Sequence, residues 1–259
     1  VGGGQAGLTV AATLVQLGVD TLVIDRLPRV GDCWRTRYHS LALHNPTDFN
    51  HLPYMPFPPT WPTYIPKDKL AGWFEAYAEG LELNFWTGTE FEGGAYAEKD
   101  GCWTVRLRRN GAVRTMKPRH VVMATGVSGI PNIPAIPTLD AFKGTVLHSS
   151  GYDDGDAWRG KNVLIIGTGN SAHDIAQDLQ SSGARVTMVQ RSPTMVVNVE
   201  PSAQLPYALY EEGPSLEDCD LITTSIPLSL ARKSHIALTE QARAIDKELL
   251  DWWHKRVVR

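Results

Sequence analysis

Apolar residues recur along this chain at two spacings, helical and alternating. After an opening run of glycines, Leu8, Ala11, Ala12, Leu14, Val15 and Leu17 fall at helical intervals and Gly18 supplies a stop, which predicts a first helix. The run from Val19 to Asp25 reads as a buried parallel strand ending in a carboxylate. Leu70, Trp73, Phe74, Tyr77 and Leu81 mark one face of a second helix. From Thr89 to Lys117 the pattern predicts an antiparallel meander of three short strands, with turns at Gly93-Gly94, Asp100-Gly101 and Asn110-Gly111. His120 to Gly126 reads as a strand running into a glycine, and Asn162 to Ile166 as another. The latter leads into a helix from about Ser171 to Ser182 and then a strand from Arg185 to Gln190. From about Leu221 to Val258 the pattern is mostly helical. The basic residues in its last turns, His254, Lys255, Arg256 and Arg259, read as a solvated helix end rather than a binding patch.

The stretch from Arg26 to Pro66 follows neither spacing. It holds Trp34, Tyr38, Phe49, Tyr54, Phe57, Trp61 and Tyr64, and disordered segments are poor in such residues, so a packed loop that covers a ligand is expected. Pro131, Pro134 and Pro137 mark a linker, which divides the chain into domains at 1–135 and 140–259.

Composition narrows the function classes. With 25 Lys+Arg against 28 Asp+Glu the net charge is −3, so there is no basic surplus for gripping nucleic acid. Cys33, Cys102 and Cys219 are odd in number and far apart, which argues against a secreted disulfide framework and suits the cytoplasm. No apolar run approaches the ~18 residues of a membrane span. The opening Val1-Gly2-Gly3-Gly4 has no initiator Met and no signal-peptide core, and reads as a cut edge.

The chemistry lies in two glycine fingerprints. Gly2, Gly4 and Gly7 form G-x-G-x-x-G, and Gly167, Gly169 and Ala172 form G-x-G-x-x-A. Such a pattern gives a tight turn after a strand, a close approach of backbone to a pyrophosphate, and a small residue where helix meets strand. The units end differently at the tip of the second strand. In register with Asp25 of the first unit stands Gln190 of the second, followed by Arg191. A carboxylate accepts from a ribose 2′-hydroxyl and repels a 2′-phosphate, whereas a neutral residue beside a guanidinium does the reverse. The first site therefore suits the ADP half of FAD or NAD, and the second suits NADPH. Two dinucleotide sites in one chain imply hydride passage from nicotinamide to flavin. Reduced flavin can pass electrons to a disulfide, another carrier or dioxygen. A disulfide needs two nearby cysteines and Cys33 has no partner before Cys102, so dioxygen is the leading acceptor, though composition alone does not select it over another carrier.

Three ordered motifs carry a family resemblance. Residues 142–153, with Phe142, Gly144, His148, Tyr152 and Asp153, match F-x-G-x-x-x-H-x-x-x-Y-D, the identifying motif of the flavin-containing monooxygenases. Ala124-Thr125-Gly126 resembles that family's A-T-G strand end, and Gly31-Asp32-Cys33-Trp34 its G-G-x-W segment with Asp32 in place of a glycine. Tyr152 stands where Baeyer-Villiger enzymes usually show Trp. The stretch from Tyr38 to Pro66 looks most like the plant-type enzymes acting on indole-3-pyruvate, beside the N- and S-oxygenating branch.

The resemblance implies an α/β fold with two Rossmann-like dinucleotide-binding domains, one for FAD and one for NADPH, and a small antiparallel meander. It implies NADPH- and dioxygen-dependent transfer of one oxygen atom to a small organic molecule through a flavin hydroperoxide. The alternatives are an oxidase or reductase that releases hydrogen peroxide, and a non-catalytic nucleotide-binding protein. FAD is expected against Gly2, Gly4, Gln5, Ala6, Gly7, Asp25, Arg26, Trp34, Thr125 and Gly126, and NADPH against Gly167, Gly169, Asn170, Ser171, Ala172 and Arg191. Related enzymes place an Asn near the flavin, at a position that falls on His44 or Asn45, and an Asn-Pro turn explains Asn45-Pro46 equally well. His148 is expected to fix the hinge between the two sites. His39, His44 and His51 lack metal-site spacing and partners, so no metal is expected. The resemblance also implies a longer chain, in which a later segment returns to complete the FAD domain, so these 259 residues alone are expected to bind FAD poorly or fold incompletely.

Overall fold

The computed structural model describes residues 1–211 and 213–255. Arg256, Val258 and Arg259, expected at the helical end, lie outside them. The first unit is a narrow parallel layer between a helical layer and the meander. Helix α1 (Gln5–Gln16) and helix α3 (Lys67–Gly80) turn Leu8, Ala11 and Ala12 of one and Leu70, Phe74, Tyr77 and Ala78 of the other into a shared core. Leu52, Phe57 and Ile65 of the aromatic loop complete it. That loop is packed, as its aromatics lead one to expect. It carries the short helix α2 (Asp32–Arg35), closes on itself through a bridge between Ala42 and Pro66, and packs its stacked Phe57 and Trp61 against Trp73 of α3 with ring centroids 5.1–5.6 Å apart.

Strand β1 is shorter than its hydrophobic run. It covers Val23–Ile24 and pairs in parallel with β2 (Phe85–Trp86), because Val19 and Asp20 remain exposed and Thr21 bonds back to the Val19 carbonyl. On its other side Gly2 N–H donates to Ile24 O at 2.9 Å. Val1 in turn donates to Val122 O and accepts from Ala124 N–H, the alternation of a parallel pairing. Among the described residues these two are the hydrogen bonds that hold the 120–126 segment in the layer. It is therefore extended rather than a regular strand, a correction to the sequence expectation, and Val122 and Met123 stay exposed.

The meander has the expected three strands, β3 (Thr89–Ala97), β4 (Cys102–Arg109) and β5 (Ala112–Met116), in sheet order β3-β4-β5. Gly93-Gly94 is not a turn but a bulge inside β3, where the register shifts between Phe91 and Gly93 and φ at Gly93 is +134°. Val105 and Leu107 pack the meander against Ile24, Leu22 and Trp86.

The second unit is a βαβ crossover. β6 (Asn162–Ile166) and β7 (Arg185–Val189) pair in parallel over their whole length, and α4 (Asn170–Ser181) lays Ile175 and Leu179 on Val163, Ile165 and Val186. Tyr38 of the aromatic loop and Tyr152 join that core, so the loop spans both units. Irregular turns over 198–207 lead to α5 (Ala208–Glu211), α6 (Leu216–Ser225), α7 (Leu228–Ile245) and α8 (Lys247–His254). This helical segment seats on the aromatic loop. Asn45 Nδ2 donates to Tyr207 OH at 2.9 Å, Gln204 Nε2 to Tyr64 OH at 2.6 Å, and Phe49 packs on Tyr207 and Tyr210. Among the described residues no helix is long and apolar enough to cross a membrane.

Candidate functional site: two glycine loops and the cluster between them

The first glycine loop is shaped by contact. Gly2 has φ +97°, and a Cβ there would lie 2.3 Å from Ala124 O. A Cβ on Gly7 would lie 1.9 Å from Gly2 O, so the helix can approach the loop only without a side chain. Gly4, the middle glycine, meets only Cys33 Sγ, at 3.8 Å. The second loop is shaped by torsion and openness. Gly167 has φ +120°, and Cβ atoms on Gly167 and Gly169 would meet nothing within 4 Å, leaving backbone accessible where a pyrophosphate would lie.

Both loops feed helices whose N-termini are free for an anion. Neither α1, starting after Gly4, nor α4, starting after Gly169, has a side-chain cap or an acidic residue in its first turn. Helix α7 also starts without a side-chain cap or a first-turn acid, but it follows Pro227, so it is the glycine loop ahead of α1 and α4 that sets these two apart. Uncapped first-turn N–H groups with no competing carboxylate are what a pyrophosphate requires, so the residues present fit a dinucleotide at each loop.

Asp25 does more than its sequence position suggests. Its Oδ2 accepts from Gly3 N–H at 2.7 Å and its Oδ1 from Leu27 N–H at 2.8 Å, so the carboxylate braces the loop while each oxygen keeps acceptor capacity. Arg26 Nη2 donates to Gly129 O, and Gln5 Nε2 to Asn50 O, tying the helix start to the aromatic loop. Ala6 is exposed beside it, and Trp34 packs against the first core with Cys33. Burial, reinforced by the Asp25 charge, pushes the Cys33 thiol up to about 11, so it is inert as a nucleophile at neutral pH. Thr125 and Gly126 are exposed at the end of the extended segment.

At the second loop Gln190 and Arg191 are exposed, and Arg191 makes no ion pair among the described residues. Ser171 and Ala172 follow Asn170 in the first turn of α4. The family-type motif supports this unit from below. Tyr152 is buried and donates to Asp178 of α4 at 2.5 Å, and Phe142 lies against Gly144. His148 caps its own turn through Ser150, and its hydrogen bonds stay there.

His44 and Asn45 diverge. Asn45 turns to Tyr207, whereas His44 turns to the second loop, with its Nε2 3.0 Å from Asp174 Oδ2 and its Nδ1 3.2 Å from Asn170 Nδ2. Tyr38 OH donates to the same Asp174 oxygen at 2.7 Å. Asp174 escaped the sequence reading, which counted Tyr38 only among the aromatics of the loop. The available signal was helical spacing, since Asp174 lies four residues after Asn170 on the fingerprint helix. His51 pairs with Asp220, and no group of three or more His, Cys, Asp or Glu among the described residues could hold a metal.

Two parallel β-α units, each with a glycine loop leading into its helix, define a Rossmann-like α/β protein, and the comparisons give its family. Residues 1–216 match the flavin-binding monooxygenase-like family, and the chain belongs to that family. It is 38% identical over 198 residues to the indole-3-pyruvate monooxygenase YUCCA1 of Oryza sativa subsp. japonica, covering 76% of this chain and 48% of that protein. A double mutant of a flavin monooxygenase from Stenotrophomonas maltophilia superposes with a TM-score of 0.70 at 26% identity, over 82% of this chain and 61% of that one. Cyclohexanone monooxygenase from Rhodococcus sp. Phi1, bound to NADP+, gives a TM-score of 0.64 at 25% identity, over 76% and 38%. The chain spans about half the length of the curated relatives it matches.

Proposed function

We propose that the protein is an NADPH- and dioxygen-dependent flavoprotein monooxygenase, with FAD at the first glycine loop in a domain over 1–135 and NADPH at the second in a domain over 140–259. The observation that carries this reading is the pair of uncapped glycine-loop helices with opposed strand endings, Asp25 in one and Gln190-Arg191 in the other. Bound FAD, reduced by NADPH, would supply the activation of dioxygen, and the chain supplies binding and orientation. Gly2 to Gly7 and the first turn of α1 would receive the FAD pyrophosphate, with Asp25 facing its ribose and Arg26, Trp34, Thr125 and Gly126 around it. Gly167 to Ala172 would receive the NADPH pyrophosphate. Arg191 would pair with the 2′-phosphate, since it is exposed and bound to no carboxylate.

The substrate class we infer is a 2-oxo acid of the indole-3-pyruvate kind. Identity to the rice enzyme supports it. Three free cysteines suit a reducing, cytoplasmic setting. The test measures NADPH oxidation against product in the purified protein, with indole-3-pyruvate, amines, sulfides and ketones. Oxygen-18 from dioxygen in the product, matching NADPH consumed, is expected with the 2-oxo acid. Hydrogen peroxide equal to NADPH with every compound would identify an oxidase instead.

A further inference from the structure

Asp174, Tyr38, His44 and Asn170 form a cluster whose protonation states are coupled. With Asp174 ionised, His44 Nε2 must carry a hydrogen to donate to it, and Nδ1, which accepts from Asn170 Nδ2, must be bare. The arrangement is therefore that of a neutral imidazole. The hydrogen bond to Asp174 raises the His44 pKa above its ordinary value against the effect of partial burial. Partial burial pushes the Asp174 carboxyl up, but the hydrogen bonds from His44 and Tyr38 outweigh it and hold the group low. Among the described residues Asp174 is the one charged group acting on His44, and Asn170 is its neutral polar partner; Tyr38 and His173 act on Asp174, and Arg37 and Ser171 on Tyr38.

When Nδ1 gains a proton, it and Asn170 Nδ2 become two donors facing each other. Rotation of the amide relieves this, because Oδ1 then accepts from Nδ1–H and the NH2 group turns to the side away from the ring. Asn170 is the first residue of α4, next to Gly169. The outward face of its amide thus changes from acceptor to donor just as a positive charge arises behind it, and both changes favour a phosphate.

We propose that Asp174, acting through His44, is a positioning residue that makes the Asn170 amide change face when His44 is protonated, so that a dinucleotide phosphate at the second glycine loop is bound together with a proton. This rests on the reading that the loop holds NADPH. Calorimetric titration of the FAD-carrying protein with NADP+, at about pH 7.5 in buffers of different ionisation enthalpy, measures the protons exchanged. We expect fractional proton uptake that fades at lower pH, where His44 is already charged, and an affinity that falls severalfold as the pH rises through the His44 titration. His44→Gln should bind NADP+ severalfold more weakly with no uptake. Asp174→Asn should move the uptake to lower pH, and ring-nitrogen magnetic resonance should show a lower His44 titration in that variant even without ligand. NADP+ binding without proton uptake, or equal uptake in His44→Gln, overturns the proposal alone. Absence of NADP+ binding overturns the reading of the loop and the proposal with it.

Discussion

Arg191, just beyond the tip of β7, is exposed beside Gln190 and makes no ion pair among the described residues, so its guanidinium is available to a phosphate. Replacing it with Ala should raise KM for NADPH about 30-fold, equivalent to roughly 2 kcal/mol for a charge-assisted hydrogen bond, and leave NADH nearly unchanged. Equal loss with both cofactors in steady-state kinetics would remove the 2′-phosphate assignment. The His44–Asp174 pair makes a second residue-scale prediction. His44, with a raised pKa, contributes stability that is whole below the ordinary imidazole range and is lost as pH rises through its raised value. Asp174, with a lowered pKa, contributes stability present above the ordinary carboxylate range and lost as pH falls through its own. Their joint effect is greatest between those two values. Because both side chains are partly exposed, it amounts to no more than about 1 kcal/mol. Thermal melts of wild type and His44→Gln should differ there and converge above the His44 titration.

At the scale of elements, the two glycine loops separate stability from binding. Gly2→Ala sets a Cβ against the Ala124 carbonyl at a positive φ, and should cost more than about 2 kcal/mol in chemical denaturation. Gly169→Ala adds a methyl to open space, so the melt should shift by less than about 0.5 kcal/mol while NADPH affinity falls at least tenfold. A stable Gly2→Ala, or a Gly169→Ala that binds normally, would contradict the assigned roles. These loops were legible in the sequence because a glycine fingerprint is local, and Gly2, Gly7 and Gly167 meet a steric or torsional demand that a side chain would break. The amphipathic faces of α1 and α3 were legible from local spacing, with Leu8, Ala11, Leu70 and Phe74 buried as it required, while Val15 and Leu17 at the end of α1 are exposed. What depends on partners was not. Val19 to Asp25 has strand composition, but only Val23 and Ile24 find a ladder, and the 120–126 segment finds two hydrogen bonds. Gly93-Gly94 resembles a turn in one dimension and becomes a bulge only because β4 continues alongside it, with Val105 against Gly94.

The aromatic loop organises the molecule as a whole. Its early part joins the second core through Tyr38 and reaches α4 through His44, while its later part joins the first core through Leu52, Phe57 and Ile65 and carries the helical segment on Asn45, Phe49 and Tyr64. Long-range contacts of this kind leave little trace in sequence, which is why the loop's packing was expected from its aromatics but its bridging through Tyr38 and Asp174 was not. The central claim is that one chain holds two dinucleotides with different phosphate demands. Anaerobic rapid mixing of the purified protein with NADPH or NADH, following the flavin absorbance, tests it most directly. With FAD supplied, NADPH should reduce the bound flavin at concentrations at least about tenfold below those NADH requires. Equal reduction by both nucleotides, or reduction by neither, would contradict the two-site reading.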